Sequence, residues 1–217
     1  AGVTPTRYDY DYLNRLTTIN GEVIAEYAND CDFGKPTKYK GKDLSWDGNK
    51  LTSVAKNGIV RTFNYDVRNY LVSSVTDGDV SKFFYDEKGN LLREERTKNG
   101  VNYKVNYIYA GGEAIGFTLR GQWKIDLDGA RYQDFPFYYV KDAQGNVRKI
   151  VDRTGNCVVK YNYNAWGKET VTPVESTWEF PLELYSDGTV KKFCIASDIA
   201  ELNRLTYHGY FYNRELG

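Results

Sequence analysis

Methionine is missing from the chain, and histidine occurs once, at His208. A lone imidazole leaves few ways to set a nucleophile beside a base, so His208 reads as a packed or exposed structural residue. The three cysteines, Cys31, Cys157 and Cys194, stand far apart. No two have metal-ligand spacing, and an odd number makes no disulfide framework. One pair could bridge, but buried free thiols are the expectation. An excess of either charge is also missing, since 29 basic residues face 29 acidic ones. Nucleic-acid binders usually show a basic patch or excess, so no nucleic-acid partner is expected. No stretch approaches the roughly 20 apolar residues of a membrane span. Ala1-Gly2-Val3-Thr4-Pro5 carries no signal-peptide pattern. With no initiator Met, the chain is expected to be a processed product or a piece of something longer. Gly111-Gly112 lacks the following helix and Lys-Ser/Thr of a phosphate loop. Asp126-Leu127-Asp128-Gly129 and Asp77-Gly78-Asp79 are too short for an EF-hand loop. Most aspartates sit at turns, which leaves no obvious carboxylate pair for glycoside hydrolysis. No cofactor, no metal and no enzymatic activity are expected.

What is present is aromatic: 20 Tyr, 10 Phe and 4 Trp. Such residues favour pleated, half-buried surfaces, and Tyr keeps a polar tip at the wet edge of a core. Turn signals recur between the aromatic runs. Asn-Gly stands at Asn20-Gly21, Asn57-Gly58 and Asn99-Gly100; Asp-Gly stands at Asp47-Gly48, Asp77-Gly78, Asp128-Gly129 and Asp187-Gly188. These pairs tolerate the positive φ of tight hairpins. A second turn interleaves with them, in which the positions singled out are Asp11 with Asn14, Asp66 with Asn69, Asp86 with Gly89 and Asn90, and Asp142 with Gly145 and Asn146. Asp47 opens a shortened copy. From position 47 to about 111 a turn falls roughly every ten residues, the strand-plus-turn spacing of a meander. Two strands make a unit of roughly twenty residues, which reads as a repeat architecture.

Between turns the residues alternate. Val101, Tyr103, Val105, Tyr107 and Tyr109 share one face, and Asn102, Lys104 and Asn106 the other. Cys157, Val159, Tyr161 and Tyr163 repeat this against Lys160, Asn162 and Asn164, as do Tyr8, Tyr10 and Tyr12 against Arg7, Asp9 and Asp11. A period of two with one wet face predicts antiparallel sheet. The one candidate helix is Ser197–Leu202, with Ser197 able to cap it. In each unit a Tyr before the turn lays its ring on the next hairpin. The Asp accepts from backbone N–H groups two or three residues on, and Gly or Asn takes the left-handed position.

Tyr85-Asp86-Glu87-Lys88-Gly89-Asn90-Leu91 resembles the YD repeat of the Rhs protein family, and it belongs to an ordered series. Tyr138 to Val147, Asp152 to Asn156 and Tyr161 to Gly167, including Trp166, look like the last repeats before that family's core region. Asn203 to Gly217, including Tyr207, Gly209, Tyr212, Asn213 and Glu215, looks like the opening of the core motif, with Asn213 where the family usually has Asp. The resemblance implies an all-β ribbon of consecutive antiparallel hairpins, curling into part of a shell that encloses a toxin. Residues 1–172 would be the hairpin array, 173–194 an atypical insertion or hairpin, and 195–217 the start of the core-like motif. Self-cleavage and a toxin domain are expected not to be encoded within the chain.

The function expected is therefore structural, in a bacterial protein that is secreted or at the cell surface and serves toxin encapsulation or delivery. The competing reading is a carbohydrate-binding or adhesion module with exposed aromatics. Expected partners are the rest of a parent chain or further copies through strand edges, an enclosed toxin, and, on the second reading, glycans.

Overall fold

A computed structural model describes residues 5–28, 34–98, 101–126, 129–164, 167–174, 179–185 and 190–207. The chain divides into two compact units, Ala1–Lys82 and Phe83–Gly217. In the first, β1 (Tyr8–Tyr10), β2 (Leu16–Ile19) and β3 (Glu22–Val23) form a three-stranded antiparallel sheet. The strands β4 (Ala25–Glu26), β5 (Lys38–Tyr39), β6 (Lys42–Asp47), β7 (Lys50–Lys56), β8 (Ile59–Tyr65) and β9 (Leu71–Thr76) then pair in chain order. β10 (Asp79–Tyr85) runs through the division.

The second unit continues with β11 (Leu91–Lys98), β12 (Val101–Ala110), β13 (Glu113–Asp126), β14 (Gly129–Lys141), β15 (Val147–Asp152), β16 (Cys157–Tyr163) and β17 (Glu169–Pro173), again neighbours in chain order. The fold is all-β and built from consecutive antiparallel hairpins, as the alternation predicts. One pairing departs from the hairpin scheme. β18 (Glu179–Tyr185) lies parallel to the far end of β13, through Gln122↔Glu183 and Ile125↔Tyr185, and is itself antiparallel to β19 (Val190–Ile195). β12 pairs with β13 only up to Arg120, so the rest of that edge is open to β18.

Local chemistry sets the tight turns. Asn57 and Gly58 sit at φ 52° and 79°, which matches the strand twist across a two-residue loop. Lys40-Gly41 makes a turn of the same sign, at φ 48° and 70°. Its sequence gives no such signal, because Lys rarely takes positive φ.

The core lies on one face of the second sheet. Register places Tyr107 opposite Phe117 and Phe117 opposite Phe137. The Phe117 and Phe137 rings stack at 5.2 Å between centroids. Burying each such ring is worth about 1.5–3 kcal/mol. This face is covered by α1 (Ala196–Leu202) and the residues after it. Ser197 does not cap the helix. Asp198 does so from inside the first turn, its carboxylate accepting the Ile195 N–H at 3.0 Å. Ile199 and Leu202 are buried, whereas Ile195 is exposed. No helix among the described residues is long and apolar enough to cross a membrane.

Candidate functional site

Two constructions stand out: a turn repeated along the chain, and a polar clamp that fastens the C-terminal segment to the sheet. Asp11, Asp66, Asp86, Asp142 and Asp152 each open the same five-residue turn. At Asp86 the backbone N–H donates to the Asn90 carbonyl at 3.0 Å, and the Gly89 N–H returns to the Asp86 carbonyl at 3.2 Å. Its Oδ1 accepts the N–H groups of Lys88 and Asn90, both at 2.8 Å, while Oδ2 takes the Asn90 side-chain amide at 2.7 Å. The carboxylate thus reaches residues two and four on. The N–H three on is already committed to the aspartate's own carbonyl, which revises the expected pattern.

The turns at Asp142 and Asp152 repeat this with Asn146 and Asn156. At Asp11 and Asp66 an arginine Nε, from Arg15 and Arg68, replaces the asparagine amide. The fourth position always has positive φ: Asn14 at 60°, Asn69 at 67°, Gly89 at 86°, Gly145 at 82° and Gly155 at 89°. Asn164 opens a sixth turn, accepting from Lys168 N–H at 2.9 Å, with Gly167 at φ 76°. Asp47 instead ends β6 opposite Lys50, across a two-residue loop.

These hydrogen bonds favour the charged carboxylate. The Asn90 amide, with backbone N–H groups, holds Asp86 below the usual aspartate range, and the Asn146 amide does the same for Asp142. At Asp11, Asp66 and Asp152 partial desolvation pushes upward, but the hydrogen bonds outweigh it and the net shift is downward.

Tyrosines link one turn to the next. The hydroxyl of Tyr27 donates to the Leu16 carbonyl at 3.2 Å, Tyr65 to Leu51 at 2.9 Å, Tyr109 to Leu91 at 3.0 Å and Tyr163 to Val147 at 2.8 Å. In every case the acceptor is the residue just after an earlier turn. The ring covers the neighbouring hairpin and the hydroxyl fixes its register.

The clamp joins positions more than a hundred residues apart. Glu94 on β11 and Arg204 after α1 are both buried, at 0% and 1% side-chain exposure, with Nη2–Oε1 3.2 Å. Arg96 and Lys98 of the same strand hold Glu201 of α1 at 3.0 and 2.6 Å. Asn203 accepts the Tyr139 hydroxyl at 2.6 Å and donates to the Tyr161 hydroxyl at 3.2 Å. The Val147 N–H donates to the Thr206 carbonyl at 3.1 Å. Burial raises the Tyr139 and Tyr163 hydroxyls well above their usual range. Desolvation pushes Glu201 upward, but Lys98 and Arg96 together outweigh it and hold the carboxylate below its usual range.

Among the residues singled out by sequence, Gly167 and Tyr207 are brought together. A Cβ on Gly167 would stand 3.1 Å from the Tyr207 ring. Trp166, His208, Gly209, Tyr212, Asn213, Glu215 and Cys31 lie outside the described residues. Cys157 is a half-buried free thiol. The sequence reading missed Glu94 and Arg204. The available signal was a charge at two core-facing positions of β11, Glu94 and Arg96, where β12 has Tyr103, Val105 and Tyr107.

No family model matches the chain. It is 28% identical over 214 residues to the tRNA3(Ser)-specific nuclease WapA of Bacillus spizizenii, and 29% identical over 213 residues to the tRNA(Glu)-specific nuclease WapA of Bacillus subtilis subsp. natto. Each match takes in 96% of this chain but only 7% of the relative. Among solved structures, the crystal structure of TcdB2-TccC3-Cdc42 aligns over 96% of this chain and 13% of its own, at TM-score 0.36 and 12% identity. That of TcdB2-TccC3-TEV aligns over 79% and 10%, at 0.31 and 15%. Both are too loose to carry an argument. The expectation of no enzymatic activity is overturned by the curated relatives, which are named as nucleases. Scarcity of histidine and the use of carboxylates in turns did not bear on that question.

Proposed function

We propose that this chain, whose repeats resemble those of the Rhs family of YD-repeat proteins, forms a length of repeat-built wall in a toxin-related bacterial protein, secreted or at the cell surface, and that this wall encloses a toxin segment of the same parent. The observation that supports this most is the repeated joint. The same aspartate turn recurs from Asp11 to Asp152, and tyrosine hydroxyls tie successive turns together. A joint of this kind adds one hairpin after another without changing its chemistry, which is what a wall of adjustable length requires. The match to 7% of each relative suits a segment that contributes shape to a much longer protein. The parent's activity would be of the relatives' kind, cleavage of tRNA.

Limited proteolysis of the full-length parent tests the reading. Its toxin segment should resist protease while the wall is intact. Tyr65→Phe combined with Tyr109→Phe should speed its cleavage, because two inter-hairpin bonds are gone. A toxin segment cut equally fast in both proteins would overturn enclosure. Saturable binding to one sugar class on a glycan array, lost on changing one exposed tyrosine, would favour the adhesion reading instead.

A further inference from the structure

The even overall charge conceals a local imbalance on the second sheet. On the face of the second sheet away from α1, Lys149 of β15 is paired directly with Lys160 of β16. Like charges directly opposite in an antiparallel pair are destabilising. Both lysines are exposed, and neither has an ion-pair or hydrogen-bond partner among the described residues. Elsewhere on this face several cations are matched by acids: Arg93 and Lys104 meet Glu95, and Arg120 meets Asp134.

The surroundings of the lysine pair have a consistent character. Val140 lies opposite Lys149, and Thr172 lies opposite Lys160. Two residues back from Val140, Tyr138 is paired on one side with Gly116, which has no side chain to cover it, and on the other with Val151. Tyr138 and Val140 are 40% and 43% exposed. Arg148 adds a third cation, its guanidinium donating to Asn162 on the same face at 3.3 Å. The patch therefore sets two unpaired lysines, with Arg148 alongside, beside exposed aromatic and aliphatic groups on an open sheet surface.

We infer that this face is a docking surface for an anionic lipid membrane, with Lys149, Lys160 and Arg148 at the headgroups and Tyr138 and Val140 at the boundary with the acyl chains. Lysine stems lie along apolar surface while the ammonium stays wet. Tyrosine suits an interface that is apolar on one side and hydrated on the other. Anionic headgroups attract juxtaposed basic residues over about a Debye length. A polyanion such as RNA has use for the lysines but not for Val140 and Val151, and an open sheet suits a planar partner.

Cosedimentation of the chain with vesicles of phosphatidylcholine containing roughly one-third phosphatidylglycerol tests the inference. Binding should exceed that to pure phosphatidylcholine by about tenfold or more, and should fall steeply as salt is raised. Lys160→Glu replaces repulsion across the pair with attraction, so the variant should melt no lower than the parent while losing about tenfold in binding. Tyr138→Ser should weaken binding at every salt concentration. Lys82→Glu, an exposed change outside the patch, should leave it unchanged. Equal binding to both vesicle types, or equal losses from Lys160→Glu and Lys82→Glu, would overturn the inference. So would saturable binding of a single-stranded RNA oligonucleotide at salt concentrations that abolish vesicle binding.

Discussion

The two units use the same joint and build different interiors. Among the described residues up to Lys82, the buried side chains are Ala25, Val54, Phe63, Ser74 and Ser81. From Phe83 onward, aromatic and aliphatic residues from β11 to β16 are sealed under α1 and the segment 203–206. Both units have the aspartate turn, at Asp66 and Asp86, and the tyrosine link, at Tyr65 and Tyr109. The joint therefore fixes register but does not create a core. A dense core arises where a second layer comes down on the sheet, and the polar clamp determines where that layer lands.

The largest effect that could break this comparison is loss of the clamp. Arg204→Ala should leave the fully buried Glu94 unpaired and destabilise by about 3–5 kcal/mol in a denaturant melt. Removing both charges, with Glu94→Gln and Arg204→Met, should recover most of that loss. A half-buried pair at the sheet surface such as Lys104–Glu95 should cost under about 1 kcal/mol when broken. If Arg204→Ala were as mild as that, the C-terminal segment would not hold the second unit's core together.

A smaller and more even effect is expected from the tyrosine link. Tyr65→Phe and Tyr109→Phe each remove one hydroxyl bonded to a backbone carbonyl, and each should cost about 1 kcal/mol. Similar costs in both units would show that the joint works independently of the cover. A loss confined to Tyr109→Phe would mean that the link matters only where a core already exists.

The smallest effect concerns acid. The turn aspartates have folded pKa values below the unfolded value of about 3.9. Their contribution is complete above that value and declines as pH falls through the lower, folded value. Stability should therefore drop below about pH 4, and Asp86→Asn or Asp142→Asn should flatten that drop. The effect should be similar for Asp66→Asn in the first unit. Thermal melts across this range provide the check, and an unchanged acid slope in all three variants would remove the charged turn from the account.

Much of this was legible in the chain because it is local. Alternation between Tyr103 and Asn106 dictates a strand, and Asn57-Gly58 dictates a tight turn, whatever lies around them. The aspartate turn closes within five residues, so its chemistry is visible in five residues. What was misjudged lay at the margin of that range. Lys40-Gly41 takes a conformation its residues do not advertise, and the cap of α1 comes from Asp198 rather than Ser197. The parallel seat of β18 on β13 depends on β12 releasing that edge at Arg120, which no local pattern encodes.

The sequence by itself determined the strands, the repeated turns and the all-β class, since backbone conformational preference and side-chain alternation act over a few residues. Only the tertiary structure decided which face became the interior and what sealed it. Glu94 and Arg204 are 110 residues apart, and as charged residues each alone reads as solvated surface. They become a buried pair because the sheet and the segment after α1 exclude water from both together, and desolvated opposite charges are tolerated only when each is the other's partner.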